Sequence, residues 1–287
     1  MNFLTVPTLS TPFPAAMTTE FPPPPKPKIP FHKMLWKEWI KPVGTVLLLM
    51  IVVRSSVIDW NDVPSGSMLP TIQIGDRVVV NKLAYGVQIP MGGPYIEVPL
   101  TPWRFKNPLR DVPMIRWGSG PARGDIVTFW SPNVLRDGSV DGRRLIKRVV
   151  AVPGDTLEVR EGVVYLNNKP TAFTETGTGR TETVVRESGE RDTRPVRDGI
   201  EQADASPAHY VQFIDGRPNL RDMAPVTLKP DQYFCMGDDR DDSGDARVWA
   251  RQNIFLNREQ ITGHAFGVAW SLDGWSPRGD RFFKKLK

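Results

Sequence analysis

The chain has 287 residues, enough for one large domain or two small ones with a real core. Its 37 Lys and Arg against 32 Asp and Glu leave a formal charge of +5, and the cations are scattered, with no interleaved aromatics and no zinc-finger spacing, so a nucleic-acid partner is not expected. The single cysteine, Cys235, excludes an intrachain disulfide and a thiolate metal site and reads as a small buried hydrophobe, while 28 Pro and 24 Gly favour turns and short strands over long helices.

Residues 1–35 open the chain with a Pro-, Thr- and Ser-rich stretch that runs through "FPPPPKPKIP" and cannot bury a core, so a disordered or polyproline-like tail is expected. Residues 36–60 follow. Val43 to Val53 is unbroken apolar or neutral sequence, and extension to Ile40 and Ile58 gives about the 20 residues a bilayer core requires. Trp36, Trp39 and Trp60 stand near its ends as interfacial aromatics do, and Arg54 lies close enough to the far end to snorkel. A buried soluble helix and a cleaved leader are the competing readings; the leader would need a small-residue cleavage site close behind, and none follows. Lys26, Lys28, Lys33, Lys37 and Lys41 precede the span, and Asp59 and Asp62 follow it. That asymmetry predicts a single-pass anchor with its N-terminus cytoplasmic and everything after Trp60 outside.

The remainder reads as mostly β, an antiparallel body with an inserted lobe. "DRVVVNKLAYG", "GDIVTFW", "RLIKRVVAV" and "HAFGVAW" are short β-rich runs, and Glu161-Gly162 between "DTLEVR" and "VVYLNN" predicts a tight hairpin. The body is assigned to 61–157 and 233–277, the inserted β-rich lobe to 158–232, and a basic and aromatic tail to 278–287. Tyr85–Pro121 is a proline- and tryptophan-rich excursion expected to pack on the body. Thr174–His209 is polar and thin in apolar residues, and is expected to be partly mobile. The end "WSLDGWSPRGDRFFKKLK" mixes Trp270, Trp275, Phe282 and Phe283 with cations, as a patch that dips into lipid headgroups would.

Candidate chemistry is sparse. His32 lies before the span, His209 in the polar insert and His264 in a strand-like run, so a Ser-His-Asp site has little to draw on. A serine can instead be activated by a lysine, provided the site disfavours the ammonium. In "RRLIKRVVAVPGD", period-two spacing puts Lys147 on one face with Leu145, Val149 and Ala151, and Arg148 on the other with Ile146, Val150 and Val152. Of the two cations only the lysine can lose its proton. From pattern alone, a lysine snorkelling from a sheet edge is the stronger reading. The acidic loop "GDDRDDSGDAR" (237–247) lacks the twelfth-position Glu of an EF-hand, because Ala250 stands there; a turn braced by Arg240 and Arg247 on loop aspartates is expected, with no metal.

Taken in order, "PSGSMLPT", "RGDIVTFWSP", "LIKRVVAVPGD", "MGDDRDDSGDAR" and "ITGHAFGVAW" after an anchor resemble type I bacterial signal peptidase, a membrane-bound serine endopeptidase with a Ser-Lys dyad. The resemblance runs from the anchor to about Trp275 and is poor over 85–121 and 174–209. It implies Ser67 as nucleophile, Lys147 as general base, Ser65 as a hydroxyl donor to the oxyanion, and Ser243 as the group that orients the lysine amine. It implies Asp245 and Arg247 as a bracing ion pair, and Val63, Met68, Ile72, Leu145 and Ile146 as the lining of shallow pockets for small side chains. The implied reaction removes signal peptides after A-x-A sequences from translocated preproteins, at the outer side of the bacterial cytoplasmic membrane. Its partners are the preprotein, the bilayer and the secretion translocon, and it needs no cofactor. Gly66 is expected to permit a backbone geometry closed to other residues, with Pro64 and Pro70 stiffening the turn. Asp239 and Asp242 stand where the family pattern has Asn, which would place a carboxylate near the lysine and favour its ammonium form. A related Ser-Lys protease acting on a pilin-like substrate, and an inactive membrane-tethered binding protein on the same scaffold, are the alternatives.

Overall fold

The computed structural model describes residues 30–87, 95–97, 104–106, 108, 115–132, 142–185, 191–204, 206–216 and 220–287. The proline-rich tail and most of the 85–121 excursion lie outside them. The chain divides into two compact units, 1–44 and 45–287. In the first, the short helix Phe31–Leu35 passes into a π-helical turn, Trp36–Ile40, and on into the helix Lys41–Ser56, which ends in the second unit. Among the described residues, no helix is long and apolar enough to cross a membrane. The expected run through Trp60 is cut short because Ile58–Asp62 is a strand, paired antiparallel with Asp76–Asn81. Asp59 sets the break. Its carboxylate accepts from the Trp60 amide at 2.9 Å and from Arg54 Nη2 at 2.8 Å, so the backbone is turned out of the helix where β-branched Val57 and Ile58 favour extension.

The body is the expected antiparallel β architecture. One sheet has the order Ile58–Asp62, Asp76–Asn81, Ile261–Asp273, Ile126–Trp130, Arg144–Ala151, Gln232–Met236, Leu256–Asn257, with Ser276–Pro277 attached to Ile261–Asp273. Apolar side chains cover both faces. One cluster gathers Phe129, Val149, Phe234, Cys235 and Trp249; the other gathers Val63, Met68, Ile72, Val78, Val80 and Leu286. Two-sided burial explains why Arg144–Ala151 reads as a near-continuous apolar strand interrupted by two cations: both Lys147 and Arg148 are buried.

The segment between Ala151 and Gln232 builds two smaller sheets. In one, Thr156–Arg160 turns into Val163–Leu166 through Glu161 and Gly162, both at positive φ (49° and 84°), as a two-residue hairpin requires. The other pairs Ala172–Val185, Arg191–Gln202 and His209–Ile214. The first two of these strands form a long polar hairpin, whose register breaks at Glu175/Gly177 and Thr178/Arg180 mark bulges that bend it.

Residues 278–287 fold back on the body. Leu286 joins the second core cluster, and the Val268 and Leu286 amides donate to the Lys284 and Phe266 carbonyls at 2.8 and 3.0 Å. Arg281 is buried against the buried Asp76, with Nε 2.8 Å from Oδ1. Burial pushes the Asp76 carboxyl up, but hydrogen bonds from Arg281, Ser271 and the Gln73 amide, with the Arg281 charge, together more than reverse this and hold it below its ordinary range. Arg281→Met strands that carboxylate and is expected to cost about 3–5 kcal/mol of unfolding free energy, most of it recovered in Arg281→Met/Asp76→Leu. Urea unfolding measures both, and a double variant as unstable as the single would contradict the account.

Candidate active site

Ser67 lies on a short run of turns between the strands Ile58–Asp62 and Asp76–Asn81. The base of this loop is closed by the Val63 amide donating to Asp76 O and the Gly75 amide donating to Val63 O, both at 3.0 Å. Inside it, the amides of Leu69 and Ile72 donate to the carbonyls of Gly66 (2.8 Å) and Met68 (2.9 Å), winding the segment so that Met68 and Ile72 are sealed in the core while Ser65 is exposed and Ser67 half-buried. Gly66 is not at positive φ, and a Cβ there would press closest on the flexible end of Leu69, at 2.8 Å. The expected backbone requirement at Gly66 is therefore not what the turn displays.

Lys147 comes from a central strand, paired with Ile126–Trp130 on one side and Gln232–Met236 on the other, so it has no sheet edge to snorkel from. It is 4% exposed and its Nζ is in hydrogen-bond contact with Ser67 Oγ. Among the described residues no carboxylate forms an ion pair with it. Burial lowers its pKa from the ordinary 10.5 to about 8, against the upward pull of Asp245 and Asp238 and with a small downward push from Arg247. Asp242 acts on Glu182 and Asp239, raising both.

The two nearby carboxylates are each committed to an arginine. Arg148, on the opposite face of the lysine strand, grips Asp238 through Nε–Oδ1 and Nη2–Oδ2, both 2.8 Å, and Thr71 adds an Oγ1 hydrogen bond at 2.6 Å. Asp245 caps the short helix Ala246–Ala250, accepts from the Gly237 amide at 3.0 Å, and pairs with Arg247 at 2.9 and 2.8 Å. Both carboxyls are held below their ordinary range: burial raises them, and the arginines win. Arg240 departs from the expected loop-internal pairing. It is buried against Glu201 of the inserted segment at 2.7 and 2.5 Å.

Of the remaining sequence candidates, Val63, Met68 and Ile72 share one apolar cluster with Ile146 packed on it, whereas Leu145 packs on the other cluster. Ser243 Oγ is buried without a well-formed hydrogen bond; it stands near Asp245 and helps keep that carboxyl ionised, rather than bonding Lys147. His264 Nε2 faces Asp125 at 4.0 Å, and His209 faces Glu201 at 3.5 Å.

Sequence reasoning passed over Asp238 with Arg148, and also Gly237. The signal for the pair was present: an arginine alternating with Ile146 and Val150 on a buried face needs a buried carboxylate. A Cβ on Gly237 would stand 2.3 Å from both Ser67 O and Ser243 Oγ, and the first is backbone that cannot swing away. Gly237→Ala is therefore expected to displace Ser67 and cut kcat at least about a hundredfold, while the thermal midpoint moves only a few degrees. Unchanged kcat would show the packing to be slack.

The family model for signal peptidase, peptidase S26, matches residues 36–270. Signal peptidase I of Pseudomonas aeruginosa is 30% identical over 242 residues, covering 80% of this chain and 71% of its own. Signal peptidase I of Rickettsia conorii is 31% identical over 243 residues, 83% of each chain. Among solved structures, a signal peptidase I from Enterococcus faecalis aligns with 50% of this chain and 95% of its own at 21% identity, with a TM-score of 0.27. The chain belongs to the signal peptidase S26 family, and is a serine endopeptidase of the signal peptidase I type.

Proposed function

We propose that the chain removes N-terminal signal peptides from translocated preproteins by acyl transfer through Ser67, with Lys147 as general base. The observation that carries this reading is the contact between Ser67 Oγ and a buried lysine amine that has no counter-ion among the described residues. Neutral Lys147 accepts the Ser67 proton as Oγ attacks the scissile carbonyl. The tetrahedral oxyanion takes donors from the Ser67 amide and the Ser65 hydroxyl, each such donor being worth about 3–4 kcal/mol. The lysine ammonium then gives its proton to the leaving amine as the C–N bond breaks. A water, deprotonated by the same amine, hydrolyses the acyl-enzyme and restores Ser67. No cofactor enters the cycle. In this reading Leu145 and Ile146, half-buried on the lysine strand, border the bound acyl segment, backed by the buried Val63, Met68 and Ile72, which suits small residues such as the alanines of A-x-A. Ser243, Asp245 and Arg247 act behind the lysine by fixing the loop it packs against.

The helix Lys41–Ser56 supports a membrane-bound reading. It is apolar on all sides and leaves Val43, Val46, Leu48 and Leu49 more than half exposed, a surface that water does not favour and lipid does. Together with the preceding helical turns it anchors the chain once in the bacterial cytoplasmic membrane, N-terminus inside, with the peptidase body outside beside the translocon. Trp275 (98% exposed) and Phe283 (87% exposed), next to Lys284 and Lys285, give the body its own contact with lipid headgroups.

Ser67→Ala and Lys147→Ala are each expected to lower cleavage of an A-x-A preprotein at least about a thousandfold, with membrane insertion intact. Because the base works only when neutral, wild-type kcat/KM rises with pH until about 8 and then levels from that limb. Lys147→Arg, which cannot deprotonate, stays inactive at every pH; appreciable cleavage by it would end the assignment. Protease added outside intact cells is expected to degrade residues after Trp60 and spare those before Trp36, and the reverse pattern would overturn the topology.

A further inference from the structure

Gln212, on the strand His209–Ile214, is stitched to the catalytic loop by backbone and side chain together. Its amide donates to Asp238 O at 2.9 Å, and its carbonyl accepts from the Arg240 amide at 3.0 Å. Its side-chain Nε2 donates to Asp239 Oδ2 at 2.8 Å and to Glu182 Oε2, while its Oε1 accepts from Arg180 Nη2 at 2.6 Å. One amide therefore bridges two carboxyl groups. Glu182 belongs to the long polar hairpin, and its Oε1 stands 4.0 Å from the place of a Cβ on Gly66, next door to the nucleophile. Asp239 is 1% exposed, accepts from the Asp242 amide at 3.1 Å, and through its own amide donates to Ser67 O at 3.2 Å.

The charges around Asp239 do not balance. Glu182 faces it from the hairpin and Asp242 from its own loop. Arg180 approaches from the hairpin but forms its ion pair with Asp198 of the adjoining strand at 2.9 Å. On the loop itself, Arg240 is taken by Glu201 and Asp238 by Arg148. The nucleophile turn meets it through the Ser67 carbonyl, which accepts from the Asp239 amide. Among the described residues no cation pairs with Asp239, although Asp238, Asp241 and Asp245 of the same loop each have an arginine.

We propose that Asp239 is held as a neutral acid and in that form is a positioning residue for Ser67, letting the hairpin's Glu182 close through Gln212 onto the loop that grips the nucleophile's carbonyl. The inference rests on the peptidase reading and adds an acid group to it. Burial, then Asp242 and Glu182, push the Asp239 carboxyl up to about 8, and Glu182 is raised as well, so a proton is retained at neutral pH. When it leaves, two charges face each other across one amide, the hairpin withdraws, and the hydrogen bond to Ser67 O loses its backing.

Two measurements on the full chain in detergent test this. The first is kcat/KM for an A-x-A preprotein from pH 6.5 to 10. The ratio of Asp239→Asn to wild type is expected to stay flat below about 8 and to climb roughly tenfold per pH unit above it, because the amide keeps the neutral shape and cannot ionise. Glu182→Gln is expected to move the wild-type alkaline limb upward in the same sense. The second is the thermal midpoint. A carboxyl whose folded pKa is raised binds more protons folded than unfolded between pH ~4 and ~8, so wild-type stability falls across that window as pH rises. The advantage of Asp239→Asn should grow over the same interval and then level. A pH-independent difference in midpoint overturns the neutral acid. A growing difference with a flat rate ratio overturns the positioning role. An enzyme that cleaves nothing at any pH sinks the peptidase reading instead, and the midpoint series then decides the protonation state of Asp239 alone.

Discussion

The site depends on a lysine amine that is buried beside a hydroxyl and, among the described residues, has no counter-ion. Bringing Lys147 from 10.5 to about 8 corresponds to about 3 kcal/mol by which lost hydration of the ammonium outweighs the pull of nearby carboxylates. The margin is small beside the cost of burying an ion. Without burial the amine would hold its proton to well above pH 8. With one unpaired carboxylate in contact, the buried ammonium would become an ion pair and could accept no proton.

The acidic loop respects that limit by spending its carboxylates on arginines. Asp238 and Asp245 are the strongest upward influences on Lys147, and each is locked in a two-pronged pair, with Arg148 and with Arg247. Buried pairs of this kind are weak evidence for stability, since apolar residues of equal volume often do as well. Their effect here is electrostatic and geometric. They cancel charge within reach of the amine, and Asp245 also fixes the Gly237 amide, which keeps the loop tight against the carbonyl of Ser67.

The short strands, the Glu161-Gly162 hairpin and the antiparallel body were legible because period-two alternation and turn residues are local signals. So were Ser67 and Lys147 as candidates, and the pairing of Asp245 with Arg247. Three features were not. The helix ends at Ser56 rather than near residue 60 because Asp59 draws Arg54 back and Ile58–Asp62 finds a strand partner 18 or so residues on, a tertiary choice that hydropathy cannot see. Arg240 turns away from its own loop to Glu201, 39 residues earlier, since both loop carboxylates in reach are already taken. Lys147 looked like an edge lysine because strand order is invisible in sequence; its neighbours in the sheet come from residues 126–130 and 232–236.

That same long-range pairing makes the inserted segment part of the site. Glu201 is held strongly ionised: burial opposes this, but Arg240 and His209 overcome it. The pair is therefore a fixed strut from the insert to the loop, and the Gln212 side chain adds a second attachment one residue of loop away, at Asp239. Between them the loop residues 238–240 are held by the inserted segment, while Arg148 of Lys147's strand holds Asp238. A loop rich in aspartate, left to itself, would repel and swell. Here its shape is imposed by Arg148, Arg221 and Gln212 from other parts of the chain, together with the loop's own Arg240 and Arg247. The nucleophile's carbonyl is tied to that loop through the Asp239 amide, so the placement of Ser67 against its base is set by contacts that begin far from either residue.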